Sequence, residues 1–360
     1  MKIDGPFYAT LDNAAGEARR MADAGYDGVY TLEGNADPFL PLLLAAEHAP
    51  GIDIATAIAV AFPRNPLHLA YQAWDLHRFS RGHFLLGLGS QVRAHIVNRF
   101  GCEFDHPARR MSELIRAIKA FFACFQDGEP LHFEGDFYRH TLMTPMFNAG
   151  SNPYGKPPIL LGALGPKMTA VAGEVADGLI VHPFNTLPFV REQAMPAFTQ
   201  GLARSGRARA EVTVSIAAMC VTGNDEREFN AAREAVRGLL GFYGSTPAYR
   251  PPMDAIGQGE LQQELNRLSK QGRWDAMAGL IDDDFIGQFA VVGEPATVAQ
   301  QLWRKYGEYA DRIGIYAPYG TQPDVWPGII ADLKRLAAAS GPGSPQAPAR
   351  AAQSGAGRED

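Results

Sequence analysis

A chain of 360 residues with 46% hydrophobic and 20% charged residues has the composition of an ordinary soluble globular protein. Its net charge of −6 argues against the clustered basic face that nucleic-acid backbones require. No run of about 18 apolar residues occurs, so no membrane span is expected. The opening Met1-Lys-Ile-Asp-Gly-Pro-Phe7 lacks the apolar core of a signal peptide.

Strand and helix signals alternate in chain order. Lys2–Tyr8 reads as a first strand, and Asn13–Ala24 as a helix whose inner face carries Ala14, Ala18, Met21 and Ala22, with Gly25 as its stop. Asp27–Glu33 is a second strand, Pro38–His48 a helix and Ile52–Ala61 a third strand. A helix over Pro66–Ser80 leads to the fourth strand, His83–Gly89. The helix Ala108–Phe125 places Met111, Leu114, Ile115, Ile118, Phe121 and Phe122 on one stripe. Leu131–Thr141, with Gly135-Asp136, reads as a small hairpin laid over the body.

The alternation resumes with a strand at Pro158–Gly162, a helix at Pro166–Val175 and a strand at Gly178–His182. A helix near Leu187–Arg204, a strand at Val212–Val221 and a helix at Glu226–Leu240 follow. Residues 241–289 break the rhythm as an insertion with a Pro-rich loop and two polar helical stretches. A helix at Pro295–Tyr309, a strand at Arg312–Tyr316 and a helix at Val325–Ala338 close the sequence of elements. The near-continuous apolar runs of the strands suit a parallel sheet covered on both faces. Eight strand candidates, each followed by a helix, fit an α/β fold of the (β/α)8 TIM-barrel type better than a doubly wound sheet. One domain is expected over residues 1–339, with a hairpin insertion at about 131–157 and a lid insertion at about 241–289. Residues 340–360, rich in Gly, Pro, Ala and Ser, read as a disordered tail.

In such a barrel the chemistry sits at the carboxyl ends of the strands. These ends supply Glu33-Gly-Asn35, Ala57–Pro63, Gly89-Ser-Gln-Val-Arg93 with His95, Leu164-Gly-Pro166 and His182-Pro-Phe184. The lid insertion adds Tyr243, Tyr249 and Arg250. The set is poor in acids, has no metal-ligand spacing and offers no Ser–His–Asp arrangement. It suits a protein that borrows its chemistry from a flat organic cofactor. Cys102, Cys124 and Cys220 show no CxxC spacing and suit a reducing, cytoplasmic setting.

Several motifs carry a resemblance. They are Ala24-Gly-Tyr-Asp-Gly28, Thr56-Ala-Ile-Ala-Val60 with Arg64 and Pro66, Trp74–His83, Gly87-Leu-Gly-Ser-Gln91, Gly165-Pro166 and Ala176-Asp-Gly178. In their order and spacing the chain resembles the bacterial-luciferase-like superfamily, and within it the oxidoreductases that use the deazaflavin coenzyme F420. The likeness covers roughly residues 1–335.

The resemblance implies a non-prolyl cis peptide at Ala57–Ile58, a bulge against the back of the cofactor ring. It implies that Gly89, Ser90 and Gln91 hold the ribityl chain and ring edge, with His95 one helical turn on. It also assigns the cofactor phosphate to the helix start at Leu164, Gly165 and Pro166, approached past Gly162 and Ala163, where free N–H groups and the helix dipole favour an anion. His182 is the candidate for protonating or orienting substrate, and Glu33 is the one well-placed carboxylate, either catalytic or salt-bridged to a barrel arginine. Phe184, Tyr243, Tyr249 and Arg250 are the candidate substrate contacts, within an apolar lid that also carries Phe242 and Trp274.

Three departures separate the chain from the related sugar-phosphate dehydrogenases. Val92 stands where they have an acid, Gly34 where they have a histidine, and Asn185 where they have a phosphate-binding lysine. The implied activity is hydride transfer between F420 and a small organic substrate. Alternatives are a monooxygenase using reduced FMN and oxygen, or a catalytically silent ligand-binding barrel. A homodimer is expected through apolar faces on Leu40–Ala46 and Leu69–Leu76.

Overall fold

Eight parallel strands close on themselves in the computed structural model, which describes residues 1–319 and 324–339. They are β1 (Lys2–Pro6), β2 (Gly28–Thr31), β3 (Asp53–Thr56), β4 (Phe84–Gly89), β5 (Ile159–Ala163), β6 (Gly178–Val181), β7 (Thr213–Val221) and β8 (Arg312–Tyr316). Neighbours in sequence pair in order. Closure comes from β8 lying between β7 and β1, with Ser215 and Lys2 both in register with Arg312. This is the expected (β/α)8 barrel. The expected tail from residue 340 lies outside the described residues.

The barrel interior is filled by opposing large and small residues. A Cβ on Gly28 would lie 2.5 Å from Asp4 Oδ1, one on Gly314 3.1 Å from the Tyr30 ring, and one on Gly178 3.1 Å from Leu160 Cγ. Small residues on one strand thus make room for large ones on the next, as a closed barrel of fixed diameter requires.

The amino-terminal end of the barrel is plugged by charge. Arg312 donates to both oxygens of Asp4, at 2.7 and 2.6 Å, and to Asp53 Oδ2 at 2.7 Å. Lys2 and His83 also reach Asp53. Burial pushes the Asp4 carboxyl up against the pull of Arg312. Asp53 is raised by burial too, but Arg312, Lys2 and His83 together hold it below the ordinary range.

Four local differences from the sequence reading are seen. The third strand is not continuous over 52–61; it stops at Thr56 and resumes as Ala59–Val60. The helix near 187–204 contains a π turn at Val190–Ala194, with the Met195 N–H reaching Val190 O. Pro196 just beyond it has no N–H to donate, which loosens the ladder there. The insertion holds four helices, Arg250–Asp254, Leu261–Lys270, Trp274–Ala278 and Asp283–Phe289, in place of two. A short strand, Ala290–Val292, then pairs with Met219–Val221 at the end of β7.

The expected hairpin is present as Phe133–Glu134 against Arg139–His140. The chain beyond it is strapped to the helix Pro66–Phe79. Tyr71, Trp74 and His77, on one face of that helix, hold the carbonyls of Phe147, Gly150 and Tyr154 at 2.5, 3.1 and 3.4 Å. Leu69 and Leu76 are buried in the core, so that part of the expected dimer face is occupied. Leu40 and Leu43 remain exposed.

Candidate active site at the carboxyl end of the barrel

The floor of the site is the interruption in β3. The Ala57–Ile58 peptide is cis, as expected. Just before it, Thr56 Oγ1 donates to Gly87 O at 2.7 Å and accepts the Gly87 N–H at 3.0 Å, so a side chain bridges to β4 where the backbone departs. The Ile58 side chain fills a slot over β4 and β5. A Cβ on Gly89 would lie 2.7 Å from Ile58 Cγ1, and one on Gly162 2.8 Å from Ile58 Cγ2. The glycine expected to admit a ligand therefore admits Ile58.

Glu33 follows β2 and is nearly buried. Its Oε2 accepts the Val60 N–H at 2.6 Å and Arg64 at 2.7 Å, and Arg64 also donates to Val60 O at 2.7 Å. The carboxylate expected as a catalytic group is thus committed to an ion pair and a backbone clamp. A polar cleft of about 640 Å³ opens beside it, lined by Glu33 through Asp37, Arg64 and Arg99.

Beyond β4, Gln91 takes a left-handed conformation at φ 56°. Its Oε1 accepts the Val92 N–H at 2.8 Å, which starts the helix Arg93–Asn98 and leaves the side-chain NH2 free to donate. Ser90 Oγ donates to Gln91 O at 3.2 Å and keeps acceptor capacity. His95 is exposed on that helix.

Ala163 ends β5, Leu164 is half-buried, and Gly165 caps the helix Pro166–Val175 with no side-chain bond to its first turn. A Cβ on Gly165 would meet nothing within 4 Å, and the first turn carries Lys167 and no acid. The start of this helix is therefore an open set of donors.

His182 leaves β6 one residue after Val181, which is in register with Ala163. The Phe184 N–H donates to His182 Nδ1 at 3.0 Å, which leaves the proton on Nε2. The half-buried ring makes no hydrogen bond through Nε2 to any described residue. Burial lowers the ring's pKa to about 4, so it is neutral at physiological pH. Tyr243 and Tyr249 of the lid pack on the ring, with centroids 5.0 and 4.7 Å away.

Two expected substrate contacts are placed otherwise. Phe184 is fully buried, stacked on Phe289 at 4.3 Å, and supports Tyr243 and Tyr249 from behind. Arg250 is held by Asp254 of its own helix and by Glu260 at the start of the next, both at 3.1 Å. Asn185 is buried and spent on structure: it donates to His182 O and Ala217 O and accepts from Tyr306.

The sequence reading named Tyr243 but missed the phenols Tyr8, Tyr30 and Tyr316 beside it. Tyr243 and Tyr316 share a hydroxyl contact at 3.1 Å, Tyr8 interacts with Tyr316, and Tyr30 lies deeper with its hydroxyl buried and unpartnered among the described residues. Burial raises the pKa of Tyr8, Tyr30 and Tyr243. Tyr8 and Tyr316 stand at or just beyond the ends of β1 and β8, the signal that could have found them. The cysteines offer no reactive thiol in the core, since burial pushes Cys220 up to about 12 and Cys124 in the same direction.

The chain belongs to the luciferase-like monooxygenase family, whose model matches residues 4–312. Over 313 residues it is 47% identical to an uncharacterized protein of Mycobacterium tuberculosis, Rv1360, covering 87% of this chain and 92% of that one. It is 27% identical over 307 residues to a putative coenzyme F420-dependent oxidoreductase of the same organism, covering 79% and 85%. The solved structure of the coenzyme F420-dependent tetrahydromethanopterin reductase from Methanopyrus kandleri matches with a TM-score of 0.77 at 21% identity, over 93% of this chain and 98% of that one. That structural likeness shows the barrel fold. Membership sets the chain among luciferase-like oxidoreductases and monooxygenases. No helix among the described residues is long and apolar enough to cross a membrane.

Proposed function

We propose that this chain is an oxidoreductase that moves a hydride between the deazaflavin coenzyme F420 and a small organic substrate. The observation that carries the reading is one continuous path along the barrel rim. It runs from the step at Ala57–Ile58, through Gly89 and Gly162 in contact with Ile58, to the uncapped helix start three residues on at Gly165. This path carries no charged side chain, with Ile58 seated on the two glycines as an apolar backing, until it reaches open N–H donors, which fits a planar ring carrying a phosphate. The 27%-identical relative named as a putative F420-dependent oxidoreductase supports the same choice.

When bound, the deazaflavin supplies two-electron hydride chemistry at its ring carbon C5. Ser90 and the free NH2 of Gln91 would bond its hydroxyls, and the N–H groups of Gly165 and Lys167 would receive its phosphate. Glu33 acts through Val60, holding the backbone that follows Ile58. His182 presents a neutral N–H donor to a substrate oxygen, and the lid aromatics exclude water.

Parallel titration of the purified protein with F420, FMN and FAD tests this reading. F420 should bind with micromolar affinity, and the double variant Ser90→Ala/Gln91→Ala should weaken it. Failure to bind F420 sinks the proposal. The family description favours one second reading, oxygenation with reduced FMN; tight FMN binding and turnover supported by an NADH-dependent flavin reductase would select it. We also propose a homodimer, with the exposed Leu40 and Leu43 in its interface, which analytical ultracentrifugation of Leu40→Glu/Leu43→Glu tests.

A further inference from the structure

The loop after β6 and the lid meet in a cage of rings around His182. Tyr243 and Tyr249 stand 6.0 Å apart, each packed on the imidazole. Phe184 backs both, and Phe289 and Phe285 continue the stack behind it. Tyr316, from the end of β8, bonds the Tyr243 hydroxyl, and Tyr8, from the end of β1, stands exposed at the rim. The cage is therefore assembled from four separate parts of the barrel.

No charged side chain among the described residues bonds to this cage. Arg250 is held by Asp254 and Glu260, Lys305 donates to Gln288 O at 3.0 Å, and Arg64 is held by Glu33. His182 is neutral and supplies no counter-charge. A carboxylate, phosphate or ammonium placed here loses its water and gains no opposite charge. An apolar ring loses little and gains aromatic contacts. One oxygen acceptor finds the unpartnered Nε2–H of His182.

We infer that this cage is a subsite for an uncharged organic molecule with a ring-sized apolar body and one carbonyl or hydroxyl oxygen. The oxygen accepts from His182 Nε2–H, and the ring lies against Tyr243 and Tyr249. The assignment rests on the redox reading only in that the bound molecule would be the hydride partner; the binding preference stands by itself.

Calorimetry on the full chain with four matched probes tests it: 2-acetylnaphthalene, 2-ethylnaphthalene, 2-naphthoate and 2-naphthylmethylammonium. The ketone should bind at least about tenfold more tightly than either charged probe, and more tightly than the hydrocarbon. His182→Phe, which keeps a ring and removes the donor, should erase the preference for ketone over hydrocarbon. Tyr249→Ala should weaken both neutral probes about fivefold or more, and Tyr243→Phe serves as the conservative variant should Tyr249→Ala fail to fold; it should leave the discrimination against charge intact. Charged probes binding as tightly as the ketone, no binding of the ketone, or a ketone preference that survives His182→Phe would each overturn the inference. An F420 titration run separately distinguishes the two failures: ketone preference without F420 binding sinks the cofactor alone, and F420 binding without ketone preference sinks the subsite alone.

Discussion

Glu33 and Arg64, 31 positions apart in sequence, form a closed clamp around Val60 with three contacts of 2.6 to 2.7 Å. The carboxylate takes the Val60 N–H, the guanidinium takes the Val60 carbonyl, and the two charges meet. Both side chains are largely buried, with exposures of 7% and 18%, so neither is well solvated if its partner is lost.

Glu33→Gln should therefore act on stability and cofactor binding before it acts on chemistry. Removing one partner of a buried pair costs about 3 kcal/mol. Urea unfolding should show a loss of that order, with affinity for the proposed cofactor F420 reduced alongside it. A variant of unchanged stability and affinity whose kcat alone collapses would return Glu33 to an acid–base role.

The glycines packed around Thr56 and Ile58 should respond to substitution by degrees. At Gly87 a Cβ would sit 1.8 Å from Thr56 O, a backbone atom that cannot step aside. Gly87→Ala should destabilise by about 3 kcal/mol, the upper end for overpacking. At Gly89 the obstacle is the Ile58 side chain, so Gly89→Ala should cost about 1 kcal/mol and chiefly weaken cofactor binding. Ile58→Ala should rescue Gly89→Ala and leave Gly87→Ala unrescued. Equal losses at the two glycines, measured by urea unfolding, would contradict the packing described.

This geometry also shows what was legible in the sequence. Apolar runs such as Val29-Tyr30-Thr31 and Leu85–Leu88 announce buried parallel strands, because both faces of a barrel strand are covered. The Ala57–Ile58 step came from the motif around it, since nothing in Ala or Ile alone marks it. The Glu33–Arg64 clamp, Ile58 in its glycine slot and the Tyr243–Tyr316 contact are tertiary pairings between distant segments, and no local periodicity encodes them. Ala290–Val292 is too short for a period-two pattern to register. Arg250 sits in a sequence context that suggests a substrate contact, yet Asp254 lies four residues on along the same helix and claims it.

Arg312 bridges Asp4 and Asp53 at the far end of the barrel, while Lys2 and His83 reach Asp53 alone. Arg312→Met would leave two buried carboxylates without their shared counter-charge. The expected loss is about 3–5 kcal/mol. The site lies at the opposite end of the strands, so any variant that still folds should bind F420 in the titration proposed above as the wild type does. A stability change below about 1 kcal/mol would mean that the plug contributes little beyond what exposed pairs give.

Acid should act on this protein through His182, whose pKa burial lowers from 6.5 to about 4. As pH falls below 6.5 the unfolded chain takes up a proton that the folded ring refuses. The stability tied to this group is complete above pH 6.5, declines as the solution is acidified, and is exhausted near pH 4. A tenfold difference in proton affinity is worth about 1.4 kcal/mol, so the whole effect is at most about 3.5 kcal/mol. His182→Gln, which does not titrate, should flatten the unfolding free energy of the protein across that window relative to wild type. The same neutrality means that the pH profile of kcat should show no limb from this histidine between about pH 6 and 8. A limb near 6.5 that vanishes in His182→Gln would show that the ring is charged in the working enzyme, and the donor role argued from its Phe184 contact would fall.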